Sequence, residues 1–161
     1  MVTKDNIAII IPFHKNVEML RLSIHTLEES IKGEKPQIII IANNNNPNEL
    51  NLPEDEFAQY DIYKIPENLF WPGAINFGAR QTDKEYLLFC DPDIFYTENW
   101  LDNLLDCYNR HKNVGVVSAK IINPLNNRIM DFGMGYNQFN TIHIGKDLSL
   151  IHISEPTRRR G

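Results

Sequence analysis

Ile7-Ala8-Ile9-Ile10-Ile11, which Pro12 is expected to end, is the stretch that decides the fold of this chain. A short, β-branched and wholly apolar run is typical of a strand that is buried on both faces of a parallel sheet. Apolar side chains then recur at spacings of three and four residues from Val17 to Ile31, which predicts a helix that ends at Gly33. A buried strand followed by such a helix indicates the start of a strand–helix–strand unit.

The same alternation continues along the rest of the chain. Further strands are predicted at Ile38–Ile41, Asp61–Ile65, Tyr86–Cys90, Val114–Ala119 and Arg128–Phe132, and further helices over residues 73–80 and 100–108. Polar turns are expected at Asn43–Pro47 and Pro124–Asn127, with helical turns between residues 48 and 59. This order predicts the α/β class, with a mostly parallel, Rossmann-type sheet and helices on both faces.

Composition excludes several classes of protein. The chain has 161 residues, about one domain, and is 42% hydrophobic and 23% charged, as in soluble globular proteins. A net charge of -5 argues against a nucleic-acid-binding surface. The sequence contains no membrane span and no secretory leader, so we expect a cytoplasmic protein. Cys90 and Cys107 are accordingly expected to be reduced core residues.

Asp91 and Asp93 leave the end of the predicted strand Tyr86–Cys90, which is apolar and expected to be buried, with Pro92 between them. Unpaired charge near a core is costly, so this carboxylate pair needs a cation, basic side chains or backbone amides. Mg²⁺ and Mn²⁺ prefer carboxylate oxygens and share them with substrate phosphates. On the motif alone, two helix-capping aspartates remain an open alternative.

Polar clusters follow three of the predicted strands: Pro12-Phe13-His14, Asn43–Asn46 and Asp91–Asp93. In a parallel α/β sheet, ligands bind beyond the carboxyl ends of the strands, so we expect the three clusters on one rim. The sequence lacks Gly-x-Gly-x-x-Gly after the first strand and lacks Gly-x-x-x-x-Gly-Lys-Ser/Thr. A dinucleotide fingerprint and a P-loop are therefore excluded.

Taken together, these segments resemble the family 2 glycosyltransferases of the GT-A fold. The resemblance covers about residues 5–136. Glu67–Gly78 resembles the segment "N-x-G-x-x-x-G-x-N-x-G" of rhamnosyltransferase-like members, and Asp91-Pro92-Asp93 lies where the family has its metal-binding Asp-x-Asp. It implies sugar transfer with Mg²⁺ or Mn²⁺ from a UDP-, dTDP- or GDP-linked donor to a glycan or lipid-linked acceptor. It also implies cell-envelope polysaccharide synthesis, in the cytoplasm or peripherally at the inner membrane face.

The resemblance also implies roles for individual residues. Asp91 and Asp93 would bind the metal, and the nucleotide-sugar site would comprise Pro12, Phe13, His14, Asn43, Asn44, Gly73, Asn76, Arg80 and Asp91. Phe13 either stacks on the nucleobase or packs as a buried aromatic. Arg80 either meets the diphosphate or forms a surface ion pair with Asp83 or Glu85.

Two departures from the family pattern affect these expectations. Ala42-Asn43-Asn44 stands where the family has an aspartate, which leaves the identity of the donor open. The acidic catalytic base of the family is expected beyond this chain, and Asp131 is a weak candidate for it. Asp147 is the other acidic residue in that region, and His143 is either a packed side chain or a metal ligand. We therefore predict a donor-binding half with little or no transferase activity of its own.

Residues 148–161 resemble a translated sequencing adapter. This predicts a GT-A nucleotide-sugar-binding domain over residues 1–147, incomplete at its C-terminus, followed by a non-native tail. The alternative is a genuine basic tail, because Arg158, Arg159 and Arg160 are adjacent.

Two other functions remain open from the sequence. A phosphatase with an aspartate nucleophile also has Asp-x-Asp at a strand end, but usually after its first strand. A non-catalytic domain that binds a sugar nucleotide or a protein is favoured by the asparagine run and opposed by the intact Asp91-Pro92-Asp93.

Overall fold

The structure is a computed structural model, and it describes residues 1–43, 52–131, 134–136 and 141–143. Its chain contacts divide into two compact units, Met1–Leu105 and Asp106–Gly161, which are described separately below. The helices are α1 (Val17–Ser30), α2 (Phe70–Ala79) and α3 (Trp100–Arg110), and 3₁₀ turns lie at Lys4–Asn6 and Glu54–Phe57. The strands are β1 (Ile7–Phe13), β2 (Gln37–Asn43), β3 (Asp61–Ile65), β4 (Tyr86–Phe89), β5 (Ile121–Ile122), β6 (Ile129–Asp131), β7 (Met134–Tyr136) and β8 (Thr141–His143).

The first unit is built on a four-stranded parallel sheet with the order β3-β2-β1-β4. The chain moves outward from β1 to β3 and then returns to the other side of β1. Right-handed crossovers therefore place α1 and α2 on opposite faces of the sheet. The reversal between β1 and β4 is a topological switch point, where α/β sheets bind ligands. The predicted α/β class is thus confirmed.

Helix α2 packs closely on β1 and β2. Its buried residues Ala74, Ile75 and Gly78 face a core that includes Ile10 and Ile41. A Cβ atom at Gly78 would lie 2.6 Å from Ile10 Cγ2 and 3.2 Å from Ile41 Cγ1. Only glycine allows this approach, so Gly78 sets the distance between the helix and the sheet.

The predicted start of α2 at Gly73 is wrong, because the helix begins at Phe70. Pro72 is the third residue of the helix. Proline is accepted there because the first N–H groups of a helix have no intrahelical acceptor.

Pro12 does not end the first strand, as the sequence suggested, because β1 continues through it to Phe13. The Ile10 carbonyl accepts a hydrogen bond from the Cys90 N–H at 3.1 Å. Pro12 is two residues further along and faces the same side, beyond the last pair between β1 and β4, Ile10 with Phe89. Within the described residues no strand pairs with β1 at Pro12 on that side, so proline costs no ladder hydrogen bond there.

Two burial predictions are wrong. Strand β4 lies at the end of the sheet order, and its side chains alternate between half-buried and exposed, with Leu87 and Phe89 exposed by 38% and 46%. A strand covered on one face only shows such alternation. Cys107 is exposed on α3, whereas Cys90 is buried as predicted.

The second unit contains two short antiparallel pairs, β5 with β6 and β7 with β8. The strand predicted over Val114–Ala119 is not formed, and the chain becomes extended and paired only at Ile121. Val116 is 86% exposed, and no described strand pairs with this segment to satisfy its backbone. Asn44–Pro47, Asp147 and the predicted boundary and tail at 147–161 lie outside the described residues.

Among the helices of the described residues, none has both the length and the apolar character needed to span a bilayer.

Candidate functional site

The Asp91–Asp93 turn is held at both of its ends. Before it, the Cys90 N–H donates to Ile10 at the carboxyl end of the paired region of β1. After it, the Tyr96 N–H donates to Thr26 Oγ1 on α1 at 3.2 Å. Between these anchors both carboxylates are exposed to solvent. The turn therefore presents two charged side chains from a fixed backbone at the switch point of the sheet.

Trp71 binds one of these carboxylates. Its indole Nε1 donates to Asp91 Oδ1 at 2.8 Å. The ring also contacts Phe89 edge to face, with centroids 6.3 Å apart and an interplanar angle of 81°. Trp71 was not among the residues predicted for the site from the sequence. The aromatic pair directly before Pro72-Gly73, in the segment that resembles the family pattern, was the available indication.

Asn43 is the last residue of β2 and is only 4% exposed. Its side-chain oxygen accepts from the Leu69 N–H at 2.8 Å, and its amide nitrogen donates to Asn68 Oδ1 at 3.0 Å and to the Phe70 carbonyl at 3.4 Å. Asn68 Oδ1 also accepts from the Phe70 N–H at 2.8 Å. Asn43 therefore fixes the loop that leads into α2, and the prediction that it lies in a polar turn is wrong.

This loop holds an unfavourable backbone conformation. Phe70 has a φ of 53°, in the left-handed region that costs a residue with a Cβ about 1–2 kcal/mol. Its N–H and carbonyl are the groups bound by Asn68 and Asn43. The hydrogen bonds thus offset the strain and fix the position of Trp71, the next residue.

His14 joins the same network. Its Nδ1 lies 3.0 Å from the backbone oxygen of Asn43. Because a carbonyl oxygen only accepts, Nδ1 carries the hydrogen, and in the neutral ring Nε2 is the free acceptor. The contacts run from His14 through Asn43 and Phe70 to Trp71 and Asp91. The structure therefore brings the ends of β1, β2 and β4 to one rim, as the sequence predicted.

Other residues predicted for the site lie elsewhere or are enclosed. Phe13 has no exposed surface, so the packed alternative describes it and stacking on a nucleobase does not. Pro12 is buried within β1, and Asn44 lies outside the described residues. Asp131 ends β6 in the second unit.

Arg80 lies near the amino ends of the strands, on the opposite side of the sheet from the carboxyl rim. Helix α2 runs antiparallel to the strands, and its ten residues carry the chain about 15 Å from Phe70. Two residues after Arg80, Thr82 Oγ1 donates to Gln37 at the start of β2, at 2.5 Å. The structure therefore places Arg80 away from the carboxyl rim, where the predicted contact with the diphosphate would be made. Neither Asp83 nor Glu85 pairs with it within the described residues.

Gly73 and Asn76 lie on α2 between the carboxyl rim and Arg80. A Cβ at Gly73 would lie 2.7 Å from the Leu69 Cβ, so glycine there keeps the first turn close to the loop that Asn43 holds. Asn76 is exposed, about 9 Å along the helix from Phe70.

The chemistry of the rim suits a cation shared with a ligand. Within the described residues, no three His, Cys, Asp or Glu side chains gather into a complete metal cage. Mg²⁺ and Mn²⁺ are commonly held by one or two carboxylates together with substrate phosphates, and Asp91 and Asp93 supply that number. Burial raises the pKa of the adjacent Cys90 thiol to about 12, so this thiol adds no negative charge beside the two carboxylates.

The sequence matches the model of the family described as "Glycosyl transferase family 2" over residues 8–156. The chain belongs to glycosyl transferase family 2. Two curated proteins are similar to this family 2 chain, at 27% identity over 124 residues and 26% over 123 residues. They are the minor teichoic acid biosynthesis protein GgaB of Bacillus subtilis (strain 168) and the O-antigen biosynthesis protein RfbC of Myxococcus xanthus. The alignments cover 71% and 73% of this chain but only 13% and 9% of those proteins.

Solved structures show the same fold. The mannosyltransferase PcManGT from Pyrobaculum calidifontis, in complex with GDP-Man and Mn²⁺, superposes with a TM-score of 0.62 at 15% identity, covering 77% of this chain and 37% of that one. S. aureus TarS 1–349 gives a TM-score of 0.55 at 13% identity, covering 71% and 38%. The fold is that of the GT-A glycosyltransferases, as the resemblance implied.

Replacing Asn43 with alanine should lower the free energy of unfolding by about 1–3 kcal/mol, because the buried donors and acceptors that it binds lose their partner. Equilibrium urea denaturation would measure the change. Asn76→Ala is the matched control, since its exposed side chain should alter stability by less than about 0.5 kcal/mol. Equal unfolding free energies for the two variants would contradict the role of Asn43.

Proposed function

We propose that this chain is the donor-binding part of a glycosyltransferase that holds a nucleotide-diphosphate sugar at the carboxyl rim of its sheet. The longer protein would transfer the sugar to an acceptor hydroxyl. One observation carries the proposal: the exposed Asp91 and Asp93 project from a doubly anchored turn at the switch point of a family 2 fold.

Asp91 and Asp93 would hold a Mg²⁺ or Mn²⁺ ion. The ion would act as a Lewis acid that stabilises the charge developing on the diphosphate leaving group. The PcManGT neighbour, which was solved with GDP-Man and Mn²⁺, supports a divalent cation together with a sugar nucleotide on this fold.

The chain's own residues would bind and orient the donor. Asp93 finds no hydrogen-bond or ion-pair partner within the described residues, so both its oxygens are available. Asp91 keeps Oδ2 free of Trp71 and would meet the metal or the ribose. His14 lies at the end of β1, and its Nε2 would accept a hydrogen bond from the nucleoside.

The acceptor in this proposal is a cell-envelope polymer or its lipid-linked precursor. Support comes from GgaB and RfbC, whose names refer to teichoic acid and O-antigen biosynthesis. We further propose that residues beyond this chain supply the catalytic base. The isolated chain would then bind the donor without transferring its sugar, in the cytoplasm or at the inner membrane face.

Isothermal titration with UDP-, dTDP- and GDP-sugars, each with and without Mn²⁺, tests the proposal. At least one sugar nucleotide should bind, and removing the ion with EDTA should weaken that binding. The absence of Mn²⁺-dependent binding for all three nucleotides would refute the proposed function. Mn²⁺-dependent binding of phosphate monoesters without binding of any sugar nucleotide would favour the phosphatase alternative.

A further inference from the structure

We propose that Trp71 is a positioning residue for Asp91: its indole N–H fixes one carboxylate oxygen and thereby sets the other for the ligand. This inference rests on the proposed function and adds a residue to that site. The carrying observation is the 2.8 Å hydrogen bond from Trp71 Nε1 to Asp91 Oδ1. A hydrogen bond to a charged acceptor is stronger than one between neutral groups, so it can hold a rotamer against solvent.

The indole contacts β4 and the turn after it at two points. Phe89 and Asp91 are two residues apart, so their side chains leave the same face of the extended chain. The Trp71 ring packs edge to face against the Phe89 ring, and its N–H donates a hydrogen bond to the Asp91 carboxylate. Two contacts define both the position and the tilt of the indole. A single exposed hydrogen bond would leave the ring free to rotate.

The backbone of Trp71 is equally well placed. It follows Phe70, whose N–H and carbonyl are bound by Asn68 and Asn43, and it lies in the first turn of α2. Gly78 fixes that helix against the sheet. The position of Trp71 thus depends on β2, the loop before α2 and the core.

The chemistry also explains why an indole suits this position. The indole N–H only donates, so it occupies one lone pair of Oδ1 without competing for a cation. A lysine or arginine there would neutralise the carboxylate and repel the metal. Trp71 is 48% exposed, so its indole lies at the surface of the rim, where its N–H reaches Asp91.

The test compares Trp71→Phe with Trp100→Phe in the 161-residue chain. Each substitution removes one hydrogen bond that an indole N–H donates, and each keeps an aromatic ring. The hydrogen bond lost in Trp100→Phe is the one from Trp100 Nε1 to Ser30 Oγ, at 2.9 Å. Trp71→Phe should weaken Mn²⁺-dependent binding of the sugar nucleotide by about tenfold and leave binding in EDTA unchanged. Trp100→Phe should leave both unchanged.

A spectroscopic measurement gives an independent readout. The chain has two tryptophans, so Trp100→Phe leaves Trp71 as the sole indole. Paramagnetic Mn²⁺ added with the nucleotide should quench its fluorescence, and diamagnetic Mg²⁺ should quench it much less. In Trp71→Phe, the fluorescence of Trp100 should respond weakly to either ion.

Three results would overturn the inference. Unchanged Mn²⁺-dependent affinity in Trp71→Phe would show that the hydrogen bond is dispensable. Equal weakening with Mn²⁺ and in EDTA would show that Trp71 contacts the nucleotide itself. In both cases the proposed function stands if the unsubstituted chain binds with Mn²⁺ dependence. Failure of the unsubstituted chain to bind would refute the proposed function and the inference with it.

Discussion

Asp93→Asn should abolish the Mn²⁺-dependent part of sugar-nucleotide binding, with a loss of about 100-fold or more. The substitution keeps the shape of the side chain and removes its charge, and an amide is a much poorer ligand for a hard cation than a carboxylate. Loss of a group that merely supports a metal ligand costs 10- to 100-fold, so loss of a ligand belongs at or above the upper end. Titration with and without Mn²⁺ measures both parts of the affinity.

Asp83→Asn is the matched control for this variant. Asp83 is also an exposed aspartate, but it follows α2 near the amino ends of the strands, away from the carboxyl rim. The Asp83→Asn variant should bind the nucleotide with the same affinity as the unsubstituted chain. If Asp93→Asn kept its Mn²⁺ dependence, Asp93 would not be a ligand, and the turn would be structural, as the capping alternative holds.

Gly78→Val should lower the free energy of unfolding by about 3 kcal/mol, because valine would overpack the contact between helix α2 and the sheet. The first added carbon would lie 2.6 Å from Ile10 Cγ2 and 3.2 Å from Ile41 Cγ1, and both isoleucines are fully buried. The two further methyl groups of valine would increase the overlap. Helix α2 would have to move away from the sheet, which would open the core.

Gly115→Val is the control for Gly78→Val. No heavy atom lies within 4 Å of a Cβ built at Gly115, so this variant should unfold within about 0.5 kcal/mol of the unsubstituted chain. Urea denaturation of both variants decides the matter. A Gly78→Val protein as stable as Gly115→Val would mean that α2 packs less closely than the structure shows.

The first three strands could be predicted because each is a short run with a distinct apolar pattern in the sequence. The isoleucine runs of β1 and β2 are apolar on both faces, and β3 was predicted with its observed bounds, Asp61–Ile65. Short β-branched runs of this kind, bounded by turn residues, are consistent with strands that are buried on both faces. The strand over Val114–Ala119 failed because a strand also needs a neighbour, and the apolar pattern carries no information about which segment supplies it.

The location of the candidate site could be predicted from the sequence, but the hydrogen bonds between its residues could not. Strand ends of a parallel sheet share one rim, so His14, Asn43 and Asp91 could be grouped from the sequence. The role of Asn43 could not be predicted, because three of its hydrogen bonds are made with residues more than 20 positions away in the sequence. Arg80 was misplaced since a predicted helix start three residues too late hides how far α2 carries the chain from the rim.

The most direct test of the central claim is a crystal structure of the chain grown with Mn²⁺ and the sugar nucleotide that binds best. An anomalous difference map collected near the manganese edge locates the ion independently of any model. We predict a peak within coordination distance, about 2.0–2.6 Å, of carboxylate oxygens of the Asp91–Asp93 turn, next to the diphosphate. An ordered nucleotide with its diphosphate away from this turn, and no manganese peak there, would contradict the account.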